Sequence, residues 1–236
     1  MTESRNTPNT RRGAAISSLV SAFHCPRQYY FSTKHEQRTS ERYTICKQVS
    51  CADAHATVER LWEMVCLIHP GISEEKKEFL NTCLVAMKHA PARPWSEIDI
   101  LVRSERTGIY GLLDKYYAPT GEYALTRCTT APPHGCWPED AVRTAALLLC
   151  IEECMSKRGD ASPKGLYIEY IPSGVIRYYE PSLKDRRRVI HLVRTVKEVE
   201  KGFFPPKPLN PPCSRCQYTQ SCAQHEPRRL SFLFKQ

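Results

Sequence analysis

Long hydrophobic runs are missing from this sequence. The longest, at residues 145–151, is Ala-Ala-Leu-Leu-Leu-Cys-Ile, far short of the roughly 20 apolar residues a helix needs to cross a bilayer. No membrane span is expected, and no membrane partner. The first thirty residues hold no apolar stretch of the kind that opens a secretory signal. A cytoplasmic location is therefore expected, with residues 1–15 as a disordered tail, its first ten polar. No internal repeat is visible, so an array of repeated units is not expected.

What the chain does contain is positive charge and cysteine. Its 236 residues suit one large domain, or a core with a small appendage. Lys and Arg number 34 against 25 Asp and Glu, a net charge of +9, which favours polyanionic partners, nucleic acid among them, although a merely well-solvated protein can carry the same excess. Twelve cysteines would suggest disulfides in a small secreted protein; inside a cell they suggest metal ligation plus ordinary buried thiols.

The periodicities order the chain as helix, β-meander, helix, strands, helix. Residues 16–23 read as a short helix stopped by Cys25-Pro26, with aromatics continuing to Phe31. Residues 52–66 place Ala54, Val58, Leu61, Trp62 and Val65 on one helical stripe, with His55 and Glu59 beside it. Another helix at 74–88 runs to a breaker at 91–94. From residue 97 to 130 the alternation is that of an antiparallel meander with strands near 98–102, 110–117 and 123–130. A helix at 139–154 and two strands at 165–171 and 174–179 follow. The last helix opens at Pro181-Ser182 and runs to Glu200, with Val189, Leu192, Val193, Val196 and Val199 inward and Gly202 as its stop. Residues 203–212 contain five prolines and form a stiff connector.

Three cysteines lie just beyond that connector, as Cys213-Ser-Arg-Cys216 followed by Cys222. This spacing can wrap one metal centre. Spacing alone leaves the fourth ligand open between Cys25, at a helix break beside Pro26, and His225, which would complete a zinc knuckle on a scaffold protein. The other eight cysteines (46, 51, 66, 83, 128, 136, 150 and 154) read as small buried hydrophobes. The sequence around Cys25-Pro-Arg27 with its trailing aromatics, together with Pro212-Cys213-x-x-Cys216-x-Tyr218-x-x-x-Cys222, resembles the split iron–sulfur ligation of the CRISPR-adaptation exonucleases of the Cas-four type and related RecB-like proteins. The resemblance spans roughly residues 16–223. It implies a restriction-endonuclease-like α/β core, a central mixed sheet flanked by helices, over residues 16–202. A Cys-rich cluster-binding segment would occupy 203–236. It further implies a four-iron, four-sulfur cluster on Cys25, Cys213, Cys216 and Cys222, and CRISPR adaptation proteins as partners.

The same resemblance implies a phosphodiester-cleaving centre of the PD-(D/E)xK type, with Mg²⁺ or Mn²⁺ held by carboxylates and a histidine, and a lysine orienting water. His55 matches its metal-binding histidine, Asp114 in Gly111-Leu-Leu-Asp114 its first acid, and Glu97 an earlier acidic position. The following acid-x-Lys is absent: the register lands on Arg127-Cys128-Thr129, or one earlier on Thr126-Arg127-Cys128. No Asp or Glu lies between Glu122 and Glu139, and no Lys between Lys115 and Lys157. Arg143 and Leu147 stand where the family has a glutamine and a tyrosine. An arginine in place of a carboxylate weakens cation binding. A degenerate nuclease that binds DNA is the expectation; the alternative is a surviving Mg²⁺- or Mn²⁺-dependent exonuclease. Taken singly, His55 also reads as a core-edge histidine and Asp114 as a strand-end partner of Lys115. Arg127 is a candidate phosphate contact in the groove. Lys184, Arg186, Arg187 and Arg188 crowd the start of the last helix, either as DNA contacts or as a solvated face balanced by Glu198 and Glu200.

Overall fold

Capping chemistry sets most of the element boundaries in the computed structural model, which describes residues 13–34, 40–53, 55–91 and 95–225. Residues 1–12 of the expected tail, Ala54 of the apolar stripe and most of the 91–94 breaker lie outside the described residues, while the end of that tail is corrected to a strand with Ala14 buried. A two-residue strand β1 (Ala14–Ala15) leads into α1 (Ile16–His24). Cys25 is extended and ends α1, and Pro26 then opens a second helix, α2 (Pro26–Ser32), because a proline costs nothing at a first helical position. Helix α3 (Glu41–Ser50) follows. Helix α4 (Val58–Ile68) begins only after Thr57, whose side chain accepts the Arg60 N–H. This corrects the helix expected from residue 52: His55 precedes the cap in an exposed turn.

Helix α5 (Glu75–Lys88) leads to the meander β2 (Glu97–Ser104), β3 (Ile109–Tyr117) and β4 (Glu122–Arg127). Helix α6 (Pro138–Arg158) stops at left-handed Gly159. Strands β5 (Leu166–Tyr170) and β6 (Val175–Tyr179) precede α7 (Leu183–Glu200). A capping box between Ser182 and Asp185 starts α7, and Val189, Leu192, Val193, Val196 and Val199 are buried along it, as its periodicity requires. A short α8 (Thr219–Gln224) ends the described chain.

The sheet is mixed. Its path is β1-β3-β4-β5-β6, with β2 paired to the other side of β3. The β2-β3-β4 meander is antiparallel, whereas β4 and β5 run parallel, because α6 carries the chain back as a crossover. One core joins α1, α6 and α7 to Leu113, Leu125 and Leu166 of the sheet; a second gathers α3, α4 and α5 and meets the sheet end at Cys128 and Ile171. Gly174 is the tightest joint of that second layer. Its φ is +63°, and a Cβ there would strike the Ala86 carbonyl at the end of α5. Gly174→Ala is expected to cost about 2–4 kcal/mol from overpacking and the left-handed backbone together, read as a lowered urea midpoint.

Candidate functional site

Strands β3 and β4 pair only at their joined ends, from Lys115 with Ala124 to Tyr117 with Glu122. Beyond that point they part, and Asp114 stands in the fork. Its carboxylate accepts the Thr126 N–H at 2.8 Å, replacing the ladder bond the parted backbones no longer make. On its other side Asp114 faces Asp99 of β2. The ladder pairs Ile98 with Lys115 and Ile100 with Leu113 but skips Asp99, which has a left-handed φ of 56°. Two carboxylates placed opposite each other repel, and a left-handed non-glycine stores strain of about 1–3 kcal/mol.

A lysine resolves the repulsion. Lys47 of α3 places its Nζ 2.8 Å from Asp114 Oδ1 and 2.8 Å from Asp99 Oδ1, and also donates to the Asp114 carbonyl. Tyr43, one turn earlier, donates its hydroxyl to Asp114 Oδ1 at 2.8 Å. Burial pulls the Lys47 ammonium down, but Asp114 and Asp99 outweigh it and hold the group above the ordinary lysine range. Burial, reinforced by Asp114, pushes the Tyr43 phenol well up. At neutral pH the site therefore contains a charged lysine and a neutral tyrosine.

Just inside the fork lies a second ion pair. Lys115 of β3 and Glu169 of β5 meet at 2.8 Å, each side chain 2% exposed. Ser50, at the end of α3, donates to Glu169 at 2.9 Å and bonds the Thr126 hydroxyl at 2.9 Å. An acid and a lysine thus do stand near Asp114, but they come from different strands and are sealed from solvent. On the α6 side of the sheet Arg127 pairs with fully buried Asp140, which also accepts the Tyr170 hydroxyl at 2.9 Å. Burial raises Asp140 against the pull of Arg127. Arg143 lies on α6 near Arg127; burial lowers it first and Arg127 second, against the pull of Asp140 and Asp114, and its Nε has no hydrogen-bond partner among the described residues.

Of the nuclease residues singled out from the sequence, Asp114 lies in the fork, whereas His55 and Glu97 are exposed outside it. His55 is exposed in its turn, where its backbone N–H donates to Asp53. Glu97 is exposed at the start of β2, two residues short of Asp99, which takes the place beside Asp114. Asp114 is buried within β3 and bonded to Lys47, so the reading as a strand-end partner of Lys115 is corrected. Among the described residues no three His, Cys, Asp or Glu side chains are grouped closely enough to hold one metal ion. Arg127 is engaged with Asp140 and does not present a free guanidinium to the groove. In α7, Arg186 forms a two-pronged pair with Glu152 at 2.7 and 2.5 Å, and Arg188 lies near Asp185 and over the Phe23 ring. Arg187 is exposed and shares an outward stripe with Lys184, His191 and Arg194.

Cys25, Cys213, Cys216 and Cys222 line one cavity of about 190 Å³ between the α1–α2 break and the C-terminal segment. Arg27 secures the closure: its Nε donates to the Pro205 carbonyl at 3.0 Å, its Nη1 to Cys222 Sγ at 3.6 Å, and its guanidinium lies over Phe204. Phe31 stacks on Tyr218, and the His225 ring packs against Phe31 and Phe204 outside the cavity lining. Of the other eight cysteines, Cys46, Cys83 and Cys150 are buried; Cys51 and Cys154 are exposed, and the remaining three are half-buried. The uniform reading as buried hydrophobes is corrected to that extent, since their positions fall at element ends.

Lys47, Tyr43, Asp99 and Glu169 were not identified from the sequence. Glu169 carried a signal, a lone carboxylate inside the apolar run Leu166-Tyr-Ile-Glu169-Tyr-Ile171, and a buried acid demands a partner.

No protein-family model matches the chain. It is 26% identical over 127 residues to an uncharacterized protein of Archaeoglobus fulgidus, covering 53% of this chain and 55% of that one; the matched part thus spans about half the length of that relative. Among solved structures it is similar to a presumptive exonuclease from Eubacterium rectale, at 12% identity and a TM-score of 0.52, covering 99% of this chain and 98% of that one. No helix among the described residues is long and apolar enough to cross a membrane. A central mixed sheet, helices on both faces and this full-length similarity together give the chain an exonuclease-like α/β fold.

Proposed function

We propose that this protein binds DNA through a nuclease-type fold whose cutting centre has been neutralised by its own lysine, and that a four-iron, four-sulfur cluster clasps its two ends. The carrying observation is Lys47 Nζ at 2.8 Å from both Asp114 and Asp99. An ammonium there already supplies the positive charge a divalent ion would bring, and a metal would have to displace it. In the register the resemblance implies, Arg127, or one position earlier Thr126, stands in place of the second carboxylate, and either way a carboxylate ligand is lost. The excess of basic residues and the exposed Lys184, Arg187 and Arg194 stripe support contact with phosphates. In this reading the protein holds DNA ends or supports a CRISPR adaptation complex.

The cavity between Cys25 and the C-terminal cysteines supports the cluster. The four cysteines share the lining of one space of about 190 Å³, and the choice of a polynuclear cluster over zinc rests on the resemblance of their spacing to split iron–sulfur ligation. Cys25, Cys213, Cys216 and Cys222 would be its ligands, and Arg27 would offset their charge. When bound, the cluster supplies a covalent tie between α1 and the chain end, and a one-electron redox centre. Purified anaerobically, the protein is expected to be brown with broad absorbance near roughly 400 nm. A colourless protein with stoichiometric zinc would overturn the cluster.

The experiment for the site itself is incubation with labelled single-stranded DNA and Mn²⁺. Retarded but intact DNA is expected. Degradation that Asp114→Ala abolishes would establish the second reading, a metal-dependent exonuclease. That reading is favoured by one observation, the acid and lysine of Glu169 and Lys115 beside the fork; their burial and mutual pairing weigh against access by water or phosphate.

A further inference from the structure

At the end of the sheet, remote in sequence from Cys25, Cys213, Cys216 and Cys222, a cavity of about 530 Å³ opens between the β3–β4 turn, the connection from α6 to β5, and β6. Its volume falls in the range of small-ligand sites. Four tyrosines line it in two pairs: Tyr116 stacks on Tyr123 with centroids 4.8 Å apart, and Tyr167 lies 5.1 Å from Tyr178. Glu122 and Asp160 also line it, and among the described residues no lysine or arginine does. The protein carries a charge of +9, so two carboxylates in the lining make it more acidic than the chain as a whole, with Arg158 the cation that acts on Tyr123 from nearby.

The walls are preorganised. Tyr167 donates its hydroxyl to Glu122 at 2.8 Å, fixing both side chains. Gly165 leaves room for Tyr178, whose ring carbon Cζ would lie 2.9 Å from a Cβ at that position. The Tyr178 ring thus lies across the glycine, and the residue is 47% exposed. Tyrosine faces are negative and attract cations, and alkylated ammonium groups are bound in this way by aromatic cages. Carboxylates at the rim add attraction for a cation and repel phosphate. A nucleotide, which would also stack on tyrosine, is disfavoured by its charge.

We propose that this cavity is a binding site for a small organic cation of the alkylammonium class. The proposal does not depend on the nuclease reading or on the cluster. Choline is the probe, titrated into the full-length protein and followed by calorimetry and by tyrosine ring NMR signals. Its uncharged isostere 3,3-dimethylbutan-1-ol and the nucleotide AMP serve as comparisons. Saturable choline binding is expected, with the alcohol at least about tenfold weaker and AMP weaker still. Tyr178→Phe keeps the ring face and is expected to bind within about twofold of the parent, whereas Tyr178→Leu and Glu122→Gln are each expected to lose roughly five- to tenfold. Should Tyr178→Leu fail to fold, the comparison of choline with its isostere and the Glu122→Gln variant still decide. Absence of saturation up to about 50 mM choline, well beyond typical small-site affinities, equal affinity for the alcohol, or preference for AMP would each overturn the proposal.

Discussion

Replacing Lys115 by methionine is expected to destabilise the protein by about 3–5 kcal/mol, the cost of leaving a buried carboxylate without its counter-ion. Lys115 and Glu169 are each 2% exposed, so neither water nor another cation can take the lost partner's place. The Ser50 carbonyl loses its donor as well. In a chain of this length the change corresponds to a fall in Tm of roughly 10 °C, measured by circular dichroism. Adding Glu169→Leu to Lys115→Met is expected to recover most of the loss, because a buried pair replaced by packed apolar side chains is often neutral. Ser50 and Thr126 can still bond each other at 2.9 Å in that double variant. A single variant within about 1 kcal/mol of the parent, the level of an exposed ion pair, would show that the pair is reached by solvent.

Lys47→Met is expected to produce a smaller loss than Lys115→Met, with a different signature. It leaves Asp99 and Asp114 facing each other and removes the hydrogen bonds at 2.8 Å that hold them. The expected cost is about 2–3 kcal/mol, below that of Lys115→Met because the Asp99 side chain is 53% exposed and water screens its charge. Millimolar Mn²⁺ is expected to restore part of this loss in the variant, since an ion that binds only the folded form at 100 times its Kd adds about 2.7 kcal/mol. The parent protein is expected to show no such rise in Tm, and Lys47→Met combined with Asp114→Asn none either. An equal Mn²⁺ effect on the parent would mean that the ammonium does not take a cation's place.

How much of this was legible beforehand depended on the range of the interaction. The stripe of α7 was readable because burial at Val189, Leu192, Val193, Val196 and Val199 repeats with the helical period. The β2-β3-β4 meander was readable because short turns force antiparallel pairing. Helix α3 was not, because Tyr43 and Lys47 turn polar groups toward the site and blur its apolar face. The start of α4 was misplaced because the cap at Thr57 was not recognised, and with it His55 was drawn into a helix it precedes. Asp99 passed as a polar residue in an alternating strand; only its position opposite Asp114 and its positive φ mark it.

By itself the sequence determined the class of the elements, the basic balance, the short-range grouping of Cys213, Cys216 and Cys222, and the absence of an acid-x-Lys pair after Asp114. Each of these is a property of neighbours along the chain, set by helical or strand period, by capping, or by composition. Tertiary structure alone decided that Cys25 shares a cavity with residues nearly two hundred positions away. It alone decided that Lys47, and not a distant histidine, meets Asp114, and that Glu169 and Lys115 close on each other. The reason is that a buried charge must find its partner wherever the packed layers bring one within reach, and sequence separation places no limit on where that is.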